Sequence, residues 1–384
     1  MAELSADVAI VGGGPAGAAV ACRLAGAGRR IVLLERAREP RHKVCGEFVS
    51  FEAAHHLATL GSIRDPLGHL GAVPIGQVRL VARATQATVS LPFPAWGLSR
   101  LRLDAWLLHE AERAGADVRR GWTVQGIAAD GTGGMRLATT GGPLAARRVV
   151  LATGKHELRG HQRPGSRDAL VGLKLHVRLS PSQGRALVRH VELVLFEGGY
   201  AGLQQVEGGI ANLCLLVTKE RFAWSGCDWR RLLLEVPHLK ERLVDAAPCW
   251  PRPLAICRIP HGYLHRAKSE DDVTPVYRVG DQLAVIPSFT GDGMAMALHT
   301  ASLAADAILA GRSAASFHAE AVRLLERPVR LASLVSRAGA VLRLQEPIVR
   351  ACRLAPALVR GIARHTRIPG AIPEVRSAAG ARAG

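Results

Sequence analysis

Three glycines near the N-terminus, Gly12, Gly14 and Gly17, follow a β-branched stretch, DVAIVG, and open an alanine-rich segment of helical composition. At such a junction, glycines let the backbone approach a pyrophosphate, whose charge then lies at the helix N-terminus. Glu35 ends the next apolar run, IVLLER, about twenty residues further on, and would bind the ribose hydroxyls of an adenosine. The pattern predicts a dinucleotide site formed by Gly12, Gly14, Pro15, Ala16, Gly17, Glu35 and Arg36.

A second motif lies late in the chain, where YRVGD is followed by PSFTGDGMAMAL. These segments resemble the G-D motif of FAD-dependent enzymes related to para-hydroxybenzoate hydroxylase, and the resemblance covers most of the chain except its C-terminal extension. It implies non-covalently bound FAD, with Asp281 on the ribityl chain and Gly291, Gly293 and Met294 against the flavin. A simple helix N-cap would explain Asp292 but not Asp281, which ends a strand.

The segment RHKVCGEFVS resembles the K-x-C-G element of the geranylgeranyl-reductase-like branch of these enzymes. The resemblance places Lys43, Cys45 and Gly46 at the flavin, with Glu47 beside them. Cys45 could tune the flavin or donate a proton, and Glu47 could act as a general acid if burial raised its pKa, so both are candidate catalytic residues. The alternative is that Cys45 is a small buried residue and that Lys43 and Glu47 form an ion pair.

Arg100, in LSRLRLDAWLL, matches the helix start that the same enzymes carry, where the arginine reaches the FAD phosphate or ribityl region. Asp104 is expected to cap or orient Arg100. Val124 is also predicted to contact the cofactor.

Thr153 and Gly154, in ATGKHELRG, stand where aromatic hydroxylases carry an Asp-Gly motif that serves FAD and NAD(P)H. Both are assigned to the cofactor site. The departure from Asp-Gly argues against hydroxylase-style docking of NAD(P)H, although Lys155 and Arg159 could hold phosphates by charge. The electron source is therefore NAD(P)H or another external reductant, with a separate reductase or electron donor as an open alternative.

The stretch GGYAGLQQVEGGIANLCLL resembles the sheet that roofs the substrate pocket in these flavoenzymes. It offers Tyr200, Gln204 and Asn212 as polar contacts, and His176 in LKLHVRL is a fourth candidate, although a hydrogen-bonded core or surface histidine is the favoured interpretation. An apolar pocket with a few polar groups would select an apolar small molecule.

These residues require a Rossmann-type domain to position them. DVAIVG, the glycine turn, the helix and IVLLER form one parallel βαβ unit, and ARRVVLATG and VYRVGD have the character of further parallel strands. Alternating polar and apolar residues elsewhere predict antiparallel strands. The predicted fold class is α/β, a Rossmann-type FAD-binding domain with an inserted antiparallel β-sheet substrate domain and a C-terminal helical extension. The predicted segments are 1–75, 96–168 and 270–312 for the FAD-binding domain, 76–95 and 169–269 for the substrate domain, and 313–384 for the C-terminal helices and a flexible tail.

Composition narrows the class of protein. With 48% apolar and 21% charged residues and no apolar run of spanning length, the sequence of 384 residues predicts a globular, cytoplasmic protein. The N-terminus lacks the basic residues of a secretory signal, and seven dispersed cysteines without metal-ligand spacing predict reduced thiols and no metal site. The net charge of +18 is spread along the chain and aromatic residues are only 4%, which argues against nucleic-acid binding.

The arginine- and leucine-rich C-terminal segment could press a basic, apolar face against anionic lipid, but packing against the first domain is at least as well favoured. Pro328, Pro347 and Pro356 are expected to interrupt its helices, which argues against a continuous membrane-binding stripe. The final residues, AAGARAG, are expected to be disordered.

Two reactions fit this reading of the sequence. Because monooxygenases are frequent among the enzymes it resembles, hydroxylation of an apolar aromatic or polyketide-like substrate is favoured. The alternative is geranylgeranyl-reductase-like reduction of a C=C bond in an isoprenoid or other lipid-like substrate, which Cys45 and Thr153 favour. A halogenase is less favoured because the W-x-W-x-I-P signature of one halogenase class is absent, and a non-catalytic flavoprotein has little support.

Overall fold

The computed structural model describes residues 4–163, 169–266 and 274–368. The tail AAGARAG, for which disorder was expected, lies outside the described residues. The strands are β1 (Leu4–Val11), β2 (Ile31–Glu35), β3 (Phe48–Ser50), β4 (Val73–Ala82), β5 (Thr85–Gly97), β6 (Asp117–Arg120), β7 (Val124–Ala129), β8 (Met135–Thr139), β9 (Leu144–Leu151), β10 (Leu170–Arg178), β11 (His190–Phe196), β12 (Gly199–Val206), β13 (Ile210–Thr218), β14 (Ala247–Pro248), β15 (Leu254–Cys257) and β16 (Val276–Arg278). The helices are α1 (Pro15–Gly26), α2 (Phe51–Ala58), α3 (Pro66–His69), α4 (Arg100–Arg113), α5 (Pro181–Leu187), α6 (Lys219–Trp224), α7 (Trp229–Leu234), α8 (Pro237–Arg242), α9 (Gly293–Leu309), α10 (Ala314–Ala340), α11 (Leu342–Leu354) and α12 (Pro356–His365).

The first sheet has the strand order β6-β2-β1-β9-β8-β7, with β16 also paired to β9. β1 lies parallel to β2 and β9, and β16 lies parallel to β9. The apolar run in β1 is buried, with Ile10 fully excluded from solvent, because α1 packs over the sheet together with α4 and α9. The late return of the chain in β16 and α9 confirms the predicted Rossmann-type α/β fold.

The second sheet has nine strands, in the order β14-β10-β13-β12-β11-β4-β5-β3 with β15 paired to β10. Its pairs are antiparallel except that β4 lies parallel to β11. The sheet includes β3 and runs through β5 to Gly97, so its early part is wider than the predicted segment 76–95. The pattern missed β3 because a strand of three residues is too short to show alternation, and a register shift between Ile75 and Gln77 breaks the alternation in β4.

The C-terminal helices pack on both sheets. Phe317 and Leu325 of α10 are fully buried in the core of the first domain, and Val349 of α11 is fully buried against β4 and β5. Pro328 and Pro347 lie inside α10 and α11, so the expected interruption at these residues was wrong. A proline inside a helix costs about 3 kcal/mol, and burial of the surrounding apolar face offsets that cost. Of the three C-terminal prolines named above, Pro356 alone begins a helix, at a position that needs no N–H donor.

Within the described ranges, none of the helices combines the length and the apolar character needed to cross a membrane.

Candidate functional site

A cavity of ≈ 2200 Å³ lies between the two sheets. It is lined by every predicted cofactor residue except Gly17. Gly12 directly follows β1, Glu35 ends β2, and Thr153 and Asp281 lie two and three residues after β9 and β16. Because the carboxyl ends of parallel strands meet at one edge of a sheet, the fold gathers these residues in the crevice where α/β proteins bind nucleotides.

The N-terminal glycines divide into two kinds. A Cβ on Gly17 would lie 1.9 Å from the carbonyl oxygen of Gly12, and one on Gly12, which has a φ of +108°, would lie 2.4 Å from the oxygen of Ala152. These two glycines therefore allow α1 to pack closely on the strands. A Cβ on Gly14 would meet only Arg100 Nη2, at 3.7 Å, so Gly14 faces open cavity.

The start of α1 fits the diphosphate of FAD. The helix begins at Pro15 after Gly14, and no side chain caps it, so its first N–H groups are left for a ligand. Arg36, Arg41 and Lys43 line the same part of the cavity and supply positive charge.

Glu35 is held at the end of β2 by the backbone. Its Oε2 accepts a hydrogen bond from Gly13 N at 2.8 Å and its Oε1 accepts one from Ala37 N at 2.9 Å. These bonds fix the carboxylate at the cavity wall, where its remaining lone pairs suit the hydroxyls of a ribose.

Arg100 is the first residue of α4, and its guanidinium lies in the cavity wall. Its Nε and Nη2 donate to Asp104 Oδ1 and Oδ2 at 2.7 and 2.9 Å, so Asp104 orients it in a bidentate pair. Burial lowers the pKa of Arg100, but the charge and hydrogen bonds of Asp104, with a contribution from Cys45, together outweigh burial and hold the pKa above its ordinary value.

Asp281 pairs with Lys155 rather than standing alone. Lys155 Nζ lies 3.0 Å from Asp281 Oδ2, so the lysine predicted as a phosphate ligand is already engaged. Burial raises the pKa of Asp281, but the charge and hydrogen bond of Lys155, together with the charges of Arg163 and Arg100, outweigh burial and the pKa is lowered. Arg159, the other predicted phosphate ligand, is exposed and is not among the cavity-lining residues.

Arg163, which was not predicted as a site residue, connects two turns in this region. Its Nη1 donates to the oxygen of Asp281 at 2.7 Å and its Nη2 donates to the oxygen of Lys155 at 2.9 Å. It therefore joins the turn after β16 to the turn after β9.

The turn before α9 holds Gly291 in the left-handed region, with a φ of +74°, and a Cβ there would lie 2.5 Å from Phe48 Cδ1. Asp292 occupies the N-cap position of α9, but its side chain makes no capping hydrogen bond. Its Oδ1 instead lies 2.7 Å from Arg367 Nη1, in an ion pair that lacks hydrogen-bond alignment. Arg367 also donates to Glu52 Oε2 at 2.9 Å and lies 3.8 Å from the centroid of the Phe93 ring. The C-terminal segment thus reaches the predicted flavin site.

Glu47 is fully buried, and its φ of +58° is strained for a residue with a Cβ. Its Oε1 accepts from Lys174 Nζ and, at 2.7 Å, from Arg100 N, and its Oε2 lies 2.7 Å from His176 Nε2. Burial raises its pKa, but the hydrogen bond from His176 and the charge of Lys174 outweigh burial, and the pKa is lowered. The suggested general acid with a raised pKa is therefore wrong, and so is the suggested ion pair with Lys43.

Two of the residues assigned to the substrate hold this loop instead. Gln204 Nε2 donates to the oxygen of Glu47 at 2.8 Å, and Asn212 Nδ2 donates to the oxygens of Cys45 and Gly46 at 3.1 and 2.8 Å. His176 and Asn212 are not among the cavity-lining residues, whereas Gln204 is. The second sheet therefore fixes the 45–47 loop through its backbone.

Cys45 and Tyr200 do face the cavity. Cys45 is half-buried, and its Sγ accepts from Glu47 N at 3.3 Å. Tyr200 stacks edge-on against Phe289 with ring centroids 6.4 Å apart, and burial raises the pKa of its hydroxyl above the ordinary value.

Among the described residues, His42, Glu47 and His176 form the one group whose side-chain atoms could together bind a metal ion. Their potential ligand atoms lie within 4.8 Å of one another. Both oxygens of Glu47 are taken, one by Lys174 and Arg100 N and the other by His176. The buried charge of Lys174 would also repel a cation, so the donor set does not suit a metal ion.

Away from the cofactor residues, much of the cavity wall consists of apolar side chains that were not predicted from the sequence. The second sheet contributes Val78, Leu80, Leu91, Phe93, Leu193 and Leu195, and the C-terminal helices contribute Val329, Leu334, Ile348, Val349 and Ile362. The signal in the sequence was the apolar face of the C-terminal helices, which was assigned to packing or lipid rather than to the cavity.

Comparison with known proteins supports the cofactor. Residues 5–156 match the family described as FAD binding domain. A menaquinone reductase of Mycobacterium tuberculosis is 28% identical over 320 residues, covering 79% of this chain and 76% of that protein. A probable electron transfer flavoprotein-quinone oxidoreductase of Escherichia coli, YgcN, is 31% identical over 199 residues, covering 47% of this chain and 44% of that protein.

The crystal structure of halogenase PltM has a TM-score of 0.74 to this chain at 17% identity and covers 94% of this chain and 83% of that one, which shows a shared fold. The motifs, the crevice at the strand ends and these similarities agree. The chain is an FAD-dependent oxidoreductase with an FAD-binding domain at residues 5–156, and its fold is that of the para-hydroxybenzoate-hydroxylase-like enzymes.

Proposed function

We propose that the protein is an FAD-dependent reductase that saturates a C=C bond in an apolar isoprenoid or quinone-type lipid. The observation that carries this proposal is the cavity. From Gly14 and Gly291 at the predicted cofactor site, it continues between apolar side chains of the second sheet and of the C-terminal helices. Such a wall suits a long apolar substrate. The names of the two sequence relatives, which refer to menaquinone and to quinone, support the same substrate class.

FAD, when bound, would supply the hydride, and an external reductant, NAD(P)H or another donor, would supply the electrons. Addition of hydride to one carbon of a C=C bond requires a proton on the other. Cys45 is the candidate donor because its thiol lies in the cavity wall, held by a backbone that Asn212 fixes. Glu47 is unsuited to that role because its pKa is lowered and both of its oxygens are engaged.

The sequence favoured monooxygenation of an aromatic or polyketide-like substrate. No described feature of the site supports that reaction. Thr153, two residues after β9, stands where aromatic hydroxylases carry an Asp, and halogenase PltM shares only the fold at 17% identity. We therefore treat it as the outcome against which the reductase is tested.

The test is a single-turnover experiment on the holoenzyme. The flavin is reduced without oxygen, an isoprenoid lipid such as menaquinone or geranylgeranyl diphosphate is added, and flavin absorbance and product mass are followed. The expected result is anaerobic reoxidation with a product that carries two additional hydrogens and keeps them after any quinol has been oxidised back to the quinone. No anaerobic reoxidation, together with an extra transient absorbance and an oxygen-containing product once aerated buffer is added, would replace the reductase by a monooxygenase.

A Cys45→Ser variant addresses the proton donor, with Cys257→Ser, at an exposed cysteine, as its matched control. If Cys45 supplies the proton, turnover falls by about 10²-fold or more in Cys45→Ser alone, since general acid catalysis contributes 10²–10⁴-fold. Equal turnover in both variants would remove Cys45 from the mechanism while leaving the reductase proposal in place.

A further inference from the structure

The outer faces of α10 and α11 combine exposed apolar side chains with arginines. In α10, the exposed positions recur every three or four residues and form one stripe: Arg323, Arg327, Arg330, Leu334 and Arg337. Leu334 is 60% exposed. Because residues at this spacing share a helix face, the stripe is continuous, and Pro328 does not interrupt it.

Exposed apolar side chains also occur in α11 and at its start. Val341, between the helices, is 47% exposed, and Leu344 and Leu354 of α11 are 43% and 81% exposed. Arg343 and Arg350 are exposed on the same helix, whereas Val349 and Cys352 turn inward. Leucines at this degree of exposure on a face with arginines are typical of interfacial helices, whose arginine stems lie along apolar surface while their guanidinium groups reach phosphate.

The C-terminal helices carry a net positive charge. From Ala314 to His365 the chain has nine arginines, no lysine or aspartate, and three glutamates. Each of the glutamates is already paired with an arginine: Glu320 with Arg312, Glu326 with Arg266, and Glu346 with Arg350. The face therefore complements an anionic surface.

The same face forms the mouth of the cavity. Arg330, Leu334, Arg337 and Ala340 are exposed and also belong to the cavity lining. An apolar molecule that enters the cavity here passes between exposed leucine and arginine side chains.

We propose that the outer face of α10 and α11, which we call the docking face, binds the surface of an anionic phospholipid bilayer and holds the cavity mouth against it. The docking face rests on the described helices alone. Entry of the substrate from the bilayer into the cavity rests in addition on the proposed function, because it requires a lipid substrate.

The experiment is vesicle flotation of the full-length holoprotein at low salt. Vesicles of phosphatidylcholine alone are compared with vesicles that also contain phosphatidylglycerol. Wild type is expected to float with the anionic vesicles only, and added salt should weaken its binding. Failure of wild type to float with anionic vesicles would overturn the docking face and would favour an acidic protein surface as its occupant.

Matched variants locate the contact. Leu334→Gln combined with Leu354→Gln is compared with Leu234→Gln on α7, where the leucine is 61% exposed but lies away from the docking face. The same comparison uses Arg337→Glu combined with Arg343→Glu. Binding should fall roughly tenfold or more in the docking-face variants and remain unchanged in Leu234→Gln. Equal binding in all variants would overturn the assignment to this face.

The two proposals fail separately. The vesicles contain no substrate and flotation requires no turnover, so loss of the reductase activity with flotation retained would overturn only the proposed function. Turnover of a detergent-dispersed substrate without flotation would overturn only the docking face.

Discussion

Lys174 and Glu47 form a buried ion pair beside the predicted flavin site, and both side chains are fully excluded from solvent. Removal of one member of such a pair leaves the other charge buried without a partner. Lys174→Met should lower the free energy of unfolding by about 3 kcal/mol, at the low end for a broken buried pair because His176 still bonds to Glu47. Urea unfolding of the variant and of wild type measures the difference.

Two further variants separate charge from shape at this pair. Lys240→Met removes an exposed lysine and should change stability little. Lys174→Met combined with Glu47→Gln should recover part of the loss, since the unpaired charge is then absent. If the double variant is no more stable than Lys174→Met alone, Lys174 stabilises the fold through packing rather than through Glu47.

Gly14 is the glycine that faces open cavity at the start of α1. A valine there would fill the space where the diphosphate approaches the backbone, so Gly14→Val should lose FAD. Gly26→Val serves as the control, because a Cβ on Gly26 would meet nothing within 4 Å and Gly26 does not line the cavity. The measurement is the ratio of flavin to protein after purification. Full yellow colour in Gly14→Val would place the diphosphate elsewhere.

At the scale of single residues, the sequence predicted the position of those residues whose role depends on their spacing within a local motif. Gly12, Gly14 and Glu35 belong to one βαβ unit, so the motif alone indicates where they lie. Lys174, Arg163 and Arg367 were missed because each acts on a partner far along the chain, and no local pattern reports such a contact. Gln204 and Asn212 were correctly placed on the roofing sheet, but which backbone atoms they bind depends on how the two sheets meet.

At the scale of the elements, the C-terminal end of the described chain contacts the start of α9, because Arg367 forms an ion pair with Asp292. Burial raises the pKa of Asp292 from 3.8 to about 7, even though the charge of Arg367 lowers it and Glu52 adds to the increase. Above about pH 4 the unfolded chain gives up this proton while the folded protein keeps it until about pH 7. This group's contribution to stability is therefore full below about pH 4 and is lost as the pH rises to about 7.

Asp292→Asn should abolish that loss. The variant should gain stability relative to wild type as the pH rises from about 4 to about 8, and the difference in unfolding midpoint between the two proteins should be larger at the higher pH. Thermal unfolding across this range measures it. A difference that does not change with pH would mean that Asp292 keeps one protonation state throughout, whether ionised against Arg367 or neutral.

Elements with a strong period were predictable from the sequence, whereas junctions were not. β1, α1, β2 and α9 show clear apolar runs or helical periodicity, and they form where expected. The course of the C-terminal helices was misjudged because a proline cost of about 3 kcal/mol was weighed without the burial that offsets it. Phe317 and Leu325 show that this burial is extensive, but the sequence does not reveal what a helix face packs against.

In the molecule as a whole, the cavity wall comes from both sheets and the C-terminal helices, so FAD in this crevice would contact parts that are distant in the chain. A ligand that binds only the folded state stabilises it by about 2.7 kcal/mol at a free concentration of 100 times its dissociation constant. Removal of FAD should therefore lower the unfolding temperature of the whole protein in one transition. Calorimetry of holoprotein and apoprotein tests this, with Gly14→Val as a control that should not respond to added FAD.

If two transitions appear and FAD shifts only one, the second sheet and the C-terminal helices unfold independently of the cofactor site. The coupling through Glu47, Gln204 and Arg367 would then be too weak to join the two halves into one cooperative unit.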